Sequence, residues 1–469
     1  MSAFASATCS QLADDFRSGR TSARANVEAS IARIGAHDER VNAFTDVLAE
    51  RALARADALD AIRARGEATG PLAGVPFAVK NLFDAAGAPT RAGSRINAEI
   101  GPATRDATLV RKLEEAGAIL IGSLNMGEYA YDFTGENAHY GPSRNPHDLT
   151  RMTGGSSGGS GACVAAGMVP LALGSDTNGS IRVPSSLCGL FGLKPTYGRL
   201  SRAGTFPFVA SLDHLGPMTR SARDLALAYD AMQGRDAEDP AQTPRQIELT
   251  LARLEGGAAG LRVARATGYF ESMADEAGRA AVEHVCAALS VTMGVEYPEA
   301  PRARAAAYLI TMAEGAALHL DTVRTRAGDY DPDVRERLMA GALLPAAWIQ
   351  RAQKFRRWHA RAAARMFDEI DVLVAPATPC QAPRLGQKTF MLGGAEAQVR
   401  PNLGVFTQPF SFIGLPVVCV PVWPNGQSLP TGVQLVAAPW KEHILLRLAH
   451  TLEAAGVARA PIADLNGSA

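Results

Sequence analysis

Apolar residues first recur at helical spacing. Val27, Ile31 and Ile34 stand four and then three residues apart, and Leu48, Ala52, Leu59 and Ile62 continue the period. Such a repeat marks an amphipathic helix, so residues 8–66 are predicted helical. Thr69-Gly70-Pro71 breaks the pattern. Val75 to Val79 is a short apolar run of the length of a buried strand. Residues 107–117 predict a helix with Leu109, Val110 and Leu113 inward, 118–122 a strand, 161–167 a small-residue helix, and 169–173 another strand. Helical periods return over residues 273–290, 302–325 and 346–368, strands over 372–374 and 416–422, and a final helix over 441–455.

Helices alternating with apolar strands predict an α/β sheet. The strand near residue 372 is expected to rejoin it, so residues 1–469 are read as a single domain. Its parts are a helical segment over 1–66, a core over 67–233, a polar, proline-punctuated surface connection over 234–260, and a C-terminal part over 261–469.

Composition changes this picture little. The chain has 469 residues, and Lys+Arg and Asp+Glu number 47 each. Zero formal charge offers no electrostatic footprint for nucleic acid or an anionic membrane. The longest apolar stretch, Phe412 to Trp423, contains two prolines and is too short to span a bilayer, which needs about 20 residues. The N-terminus has no basic start or long apolar core, so no secretory signal is expected. Six cysteines without a C-x-x-C pair fit buried thiols in a reducing cytoplasm. No metal or cofactor is expected.

The chemistry concentrates in two glycine-serine clusters, Gly154 to Ser160 and Gly174 to Arg182. A phosphate-binding G-x-x-x-x-G-K-[ST] is absent. Gly155-Ser156-Ser157-Gly158-Gly159 matches G-x-S-x-G, but the elbow needs a buried strand before it, and 147–153 is polar. Neither S-x-x-K nor H-E-x-x-H occurs. A flexible linker would cut the core between flanking apolar elements. His139, His147 and His214 have nothing that pairs them with the serines and are read as surface or core histidines.

The run Gly154 to Thr196, with Asp176-Thr177-Asn178-Gly179-Ser180-Ile181-Arg182 and Cys188-Gly189-Leu190-Phe191-Gly192-Leu193-Lys194-Pro195-Thr196, resembles the amidase signature. The resemblance covers most of the chain. It implies a large mixed central sheet covered on both faces by helices, and amide hydrolysis by a Ser–cis-Ser–Lys triad through an acyl-enzyme. By motif the triad falls on Lys80, Ser156 and Ser180: lysine as base, Ser156 after a cis peptide as relay, Ser180 as nucleophile. Ser157, Asp176, Arg182 and Cys188 match supporting positions, with Cys188 read as core packing. A lysine base must be neutral, which burial behind Val75 to Val79 promotes. The oxyanion hole would use the backbone N–H groups of Thr177, Asn178, Gly179 and Ser180 at the start of a helix from Ile181.

One letter departs from the family. Asn178 stands where many members have glycine, a substitution that left-handed backbone tolerates. With Tyr197 to Gly204 and Phe206 to Ser211, it resembles a narrower subgroup acting on small carboxylated ureas or amides of the 1-carboxybiuret kind, with ammonia released. That subgroup implies an oligomer and a small helical partner similar to the C subunit of the glutamyl-tRNA amidotransferase. A substrate carboxylate would need an arginine fork, for which Arg182, Arg144 and Arg151 are candidates. The alternatives are the glutaminase component of a tRNA-dependent amidotransferase and a non-catalytic binding subunit.

Overall fold

The structure, a computed structural model, describes residues 3–423 and 427–465. Met1 and Ser2, at the start of the segment read as free of a secretory signal, lie outside them, as do residues 466–469 at the end of the C-terminal part. Among the described residues, eleven strands form one mixed sheet. In chain order these are β1 (Phe44–Val47), β2 (Pro76–Lys80), β3 (Ile119–Leu124), β4 (Leu171–Asp176), β5 (Phe191–Lys194) and β6 (His214–Thr219). They continue with β7 (Val263–Ala266), β8 (Met293–Val295), β9 (Val372–Pro376), β10 (Val417–Val422) and β11 (Thr431–Val436). The spatial order is β1-β3-β2-β4-β6-β5-β10-β11-β9-β7-β8. The strand expected near residue 372 therefore joins the same sheet as β2 and β4.

Both faces of the sheet are buried, and the period of two decides which residue goes where. On β2, Phe77 and Val79 enter one core cluster and Ala78 another. On β4, Leu171 and Leu173 join the first and Ala172 the second. Farther along, Val433 and Leu435 of β11 belong to the first cluster and Val436 to a third. One cluster thus runs along one face, and two share the other. Helices α1 (Cys9–Arg17), α2 (Ala23–Val41) and α3 (Ala49–Ala64) precede β2. Val27 and Ile34 of α2 and Leu59 of α3 pack on the second cluster. On the first, α4 (Thr108–Glu115) contributes Leu109, Val110 and Leu113, as its pattern predicted. The helices α5 (Gly158–Ala165) and α6 (Arg182–Cys188) are buried throughout, and the two glycine-serine clusters lead into them.

The one long helical segment predicted over 8–66 is three helices and a strand. Asn42 caps α2 in the left-handed conformation, and the Asp38 carboxylate accepts from the N–H of Ala43 and Phe44, turning the chain into β1. Helical spacing on both sides hid this four-residue strand, whose partner β3 lies far along the chain. Among later helices, α7 (Ala222–Met232) and α8 (Glu276–Ala288) pack on the first cluster. Then α9 (Ala300–Arg326), α10 (Pro332–Ala342) and α11 (Ala346–Glu369) precede β9, and α12 (Glu442–Ala454) ends the regular structure. No helix among the described residues is long and apolar enough to cross a membrane.

Candidate active site

Strands β2 and β4 run parallel as neighbours, Val79 level with Leu173. Their C-terminal ends therefore emerge together, which brings Lys80 to the end of β4. The Lys80 ammonium is fully buried and donates to Ser156 Oγ at 2.6 Å and to Ser175 Oγ at 2.8 Å. Both partners are neutral hydroxyls. Burial lowers the Lys80 pKa to about 7, although Asp213, Asp176 and Asp132 pull it upward from a distance. A group so placed takes and gives a proton near neutrality.

Ser156 follows a cis Gly155–Ser156 peptide, as the resemblance implied. Its carbonyl accepts from Gly127 N–H at 3.1 Å, and Gly155 N–H donates to Phe133 O at 2.9 Å. A Cβ on Gly155 would meet Asp132 Oδ2 at 2.4 Å, so only glycine lets the loop lie this close. Ser157 Oγ donates to Ser175 O at 3.2 Å and accepts from Ser175 N–H at 3.3 Å. It thereby fixes the residue that shares the lysine with Ser156.

Ser180 lies in the turn between β4 and α6. The turn is braced from beneath by Asp176 and Arg182, neither of which has exposed side-chain surface. Arg182 reaches Asp176 through Nε and Nη2, each at 2.9 Å, a bidentate pair. Its remaining donors go to Thr407 O at 3.0 Å, Gln434 Oε1 at 2.8 Å and Ser411 Oγ. Burial alone would raise the Asp176 pKa, but the guanidinium brings it down to about 2. Thr407 Oγ1 also donates to Asn178 O. Gly179 has a φ of +147°, and a Cβ there would stand 2.1 Å from Thr407 Oγ1. Among the hydrogen bonds of the described residues, none takes the backbone N–H of Thr177, Asn178, Gly179 or Ser180. That leaves four donors on one turn beside a hydroxyl.

Ser180 stands outside the Lys80 hydrogen-bond set and faces a cavity of about 20 Å³, walled by Tyr131, Phe133, Asn178, Phe208 and Arg337 among others. A larger cleft of about 450 Å³ shares Tyr308, Arg337 and Pro401 with it. A second cavity, of about 250 Å³, reaches Ser175 and shares Ala130 and Phe208.

None of the three arginines considered for a carboxylate fork lines the Ser180 cavity. Arg182 is consumed by the brace. Arg151 is held by Asp148 and Ala382 O, and Arg144 is exposed with its Nη1 on Leu149 O. The cavity arginine is Arg337 of α10. It spends two N–H groups on Asp333 O and Tyr131 O, leaving three of the five a guanidinium carries. Arg337 and Ser175 escaped the sequence reading. Only the β2–β4 pairing, a long-range contact, would have revealed Ser175.

The three histidines stay clear of the serines. His139 pairs with Glu128, His147 with Cys188 O, and His214, buried and held neutral by that burial, with Asp176 O. Cys188 is buried with its thiol pKa pushed up, a packing residue. The strand Asp148–Met152 pairs with residues 144–145 in a hairpin and bridges Arg384, all outside the main sheet, so no core strand precedes Ser157.

Residues 25–446 match the Amidase family. The chain is 53% identical to AtzE, the 1-carboxybiuret hydrolase subunit of Pseudomonas sp. (strain ADP), covering 96% of this chain and 98% of that protein. It is 40% identical to the A subunit of the glutamyl-tRNA(Gln) amidotransferase of Anaeromyxobacter sp. (strain K), covering 91% and 92%. A solved structure from a vestigial protein complex, bearing on the origins of an s-triazine catabolic enzyme, superposes with a TM-score of 0.96 at 52% identity. It covers 97% of this chain and all of its own.

Proposed function

The chain belongs to the amidase family and is an amide C–N hydrolase; from that premise we propose that its substrate is a small carboxylated ureide, 1-carboxybiuret or a near relative, whose terminal nitrogen leaves as ammonia. The observation that carries the catalytic part is the buried Lys80, bonded to Ser156 at 2.6 Å, its pKa lowered by burial to about 7. Ser180 Oγ attacks the carbonyl carbon while its proton passes to Ser156 Oγ, whose own proton passes to Lys80 Nζ. Charge developing on the carbonyl oxygen is met by the backbone N–H groups of Thr177 to Ser180, an arrangement in which one donor is worth about 3–4 kcal/mol of barrier. The tetrahedral adduct collapses, the C–N bond breaks, and Lys80 returns a proton through Ser156 to the departing nitrogen. Water then cleaves the Ser180 ester by the same relay in reverse order. Overall one amide and one water give one acid and one ammonia.

The substrate reading is supported by the 53% identical relative and by Arg337, whose uncommitted N–H groups border the Ser180 cavity. A carboxylate seated there would hold the ureide with its carbonyl toward Ser180. The assay is ammonia release from 1-carboxybiuret and from glutamine by the purified protein. The expected kcat/KM favours 1-carboxybiuret by about 100-fold or more; turnover of glutamine alone contradicts the reading and favours an amidotransferase component.

We read the whole chain as one cytoplasmic domain, since β1 and β11 share a sheet. We also read it as working in an oligomer with a small helical partner similar to the C subunit of the glutamyl-tRNA amidotransferase. The support is the similar structure being that of a complex. Co-purification at fixed stoichiometry, after co-expression with such a partner, is the expected result.

A further inference from the structure

Two residues that line the Ser180 cavity each carry a buried polar atom with no hydrogen-bond partner, Asn178 Oδ1 and Tyr131 Oη. Both side chains are well buried, Asn178 being 6% and Tyr131 5% exposed. Each is also held in place. Asn178 Nδ2 donates to the buried Thr311 Oγ1 at 2.8 Å, which commits the amide nitrogen and leaves the oxygen over. The Tyr131 ring packs 4.8 Å from Phe208, and the Arg337 guanidinium lies 4.7 Å from its centroid. Burial pushes the Tyr131 pKa up, so its hydroxyl keeps its proton and can donate or accept. Buried polar atoms are normally paired, and exceptions need a reason. An unpaired acceptor two residues from the proposed nucleophile finds its reason in a ligand that brings an N–H.

We infer that the Asn178 side chain, set by Thr311, accepts an N–H from a nitrogen bonded to the reacting carbonyl, that Tyr131 Oη bonds a second polar atom of the same substrate, and that together they select ureides over carboxamides. The chemistry of the two classes makes the choice. A ureide carries nitrogen on both sides of its carbonyl, so after one becomes the leaving group an N–H remains on the other. A carboxamide has carbon there and leaves Asn178 Oδ1 unpaired. Sites built to hydrogen-bond a polar group reject the analogue that lacks it far more strongly than apolar pockets reject a missing methylene. Asn178 acts here through its side chain, separately from the backbone N–H proposed for the oxyanion. The inference rests on the ureide reading above and sharpens it.

The test uses a matched pair, N-carbamoylglycine and succinamate. Each has a terminal carboxamide group and a carboxylate, and they differ by NH against CH₂ next to the carbonyl. On full-length Ser180→Ala protein, which binds without turnover, calorimetry should show N-carbamoylglycine bound at least about 10-fold more tightly than succinamate. Adding Asn178→Ala should abolish the preference by weakening the ureide alone. Tyr131→Phe, which removes a single oxygen, should weaken the ureide by about 5-fold or more, and Thr311→Val should do the same by freeing the Asn178 amide. Equal binding of both ligands, failure of N-carbamoylglycine to bind, or an equal loss on both in the Asn178 and Tyr131 variants overturns the inference. The outcome is separate from that of the substrate assay. A protein that releases ammonia from 1-carboxybiuret yet binds the pair equally keeps its proposed function and loses this device.

Discussion

Lys80 and Arg182 are both basic side chains without exposed surface, and they serve adjacent residues of one strand. Successive side chains of β4 point to opposite faces. The Ser175 hydroxyl meets Lys80, and the Asp176 carboxylate meets Arg182. Lys80 has neutral hydrogen-bond partners only, and burial pushes its pKa down to about 7, as the proposed base requires. Arg182 has a carboxylate in bidentate contact and a saturated set of donors, so burial yields a fixed ion pair beneath the turn that carries Ser180. Burial alone therefore does not define a role. The partner decides whether a buried cation moves protons or holds a backbone still.

The comparison breaks most visibly at the lysine. Lys80→Met keeps the apolar stem and removes the amine. We expect kcat to fall by about 10⁴-fold, the loss typical of a triad member, with unfolding in urea close to the parent. A fall smaller than tenfold would remove Lys80 from the chemistry. On the other side of the strand, Asp176→Asn leaves Arg182 buried without its counter-charge. Breaking such a pair costs about 3–5 kcal/mol, readable as a lower urea midpoint. Unchanged stability would mean that the pair is not the brace described.

Smaller changes sharpen the same contrast. Gly179→Ala drives a Cβ toward Thr407 Oγ1 and displaces the turn carrying the proposed oxyanion donors. Activity should fall by about 100-fold, as for a misplacement near 1 Å. Ser175→Ala removes one of the two Lys80 partners and should reduce kcat by about tenfold, with KM little changed. Equal effects of Ser175→Ala on kcat and KM would assign it to substrate binding.

The residues that carry the proposed chemistry were legible because they sit in a long local motif. Ser156, Ser157, Asp176, Ser180 and Arg182 fall within one run, and Lys80 ends an apolar strand. Short apolar runs also placed the buried strands, since both sheet faces are covered and such strands are apolar on both sides. What escaped depends on contacts distant in sequence. Ser175 meets Lys80 only because β2 and β4 pair, Arg337 reaches the Ser180 cavity from α10, and β1 exists only against β3. The arginines near the motif drew attention by proximity, whereas Arg182 is bound entirely within the protein. Asn178 was visible as an odd letter, but its free oxygen follows from Thr311 holding the nitrogen, a contact between α9 and the turn.

The central claim is that Lys80 serves as a base because burial among hydroxyls lowers its pKa to about 7. The most direct measurement is kcat/KM for 1-carboxybiuret against pH, which reports groups of the free enzyme. A base with a pKa of about 7 is protonated and idle below it and neutral and active above. The account predicts a rate that falls tenfold per pH unit on the acid side, turns near pH 7 and stays level toward pH 9. A profile flat from pH 5 to 9, or one still rising toward 10, would contradict it.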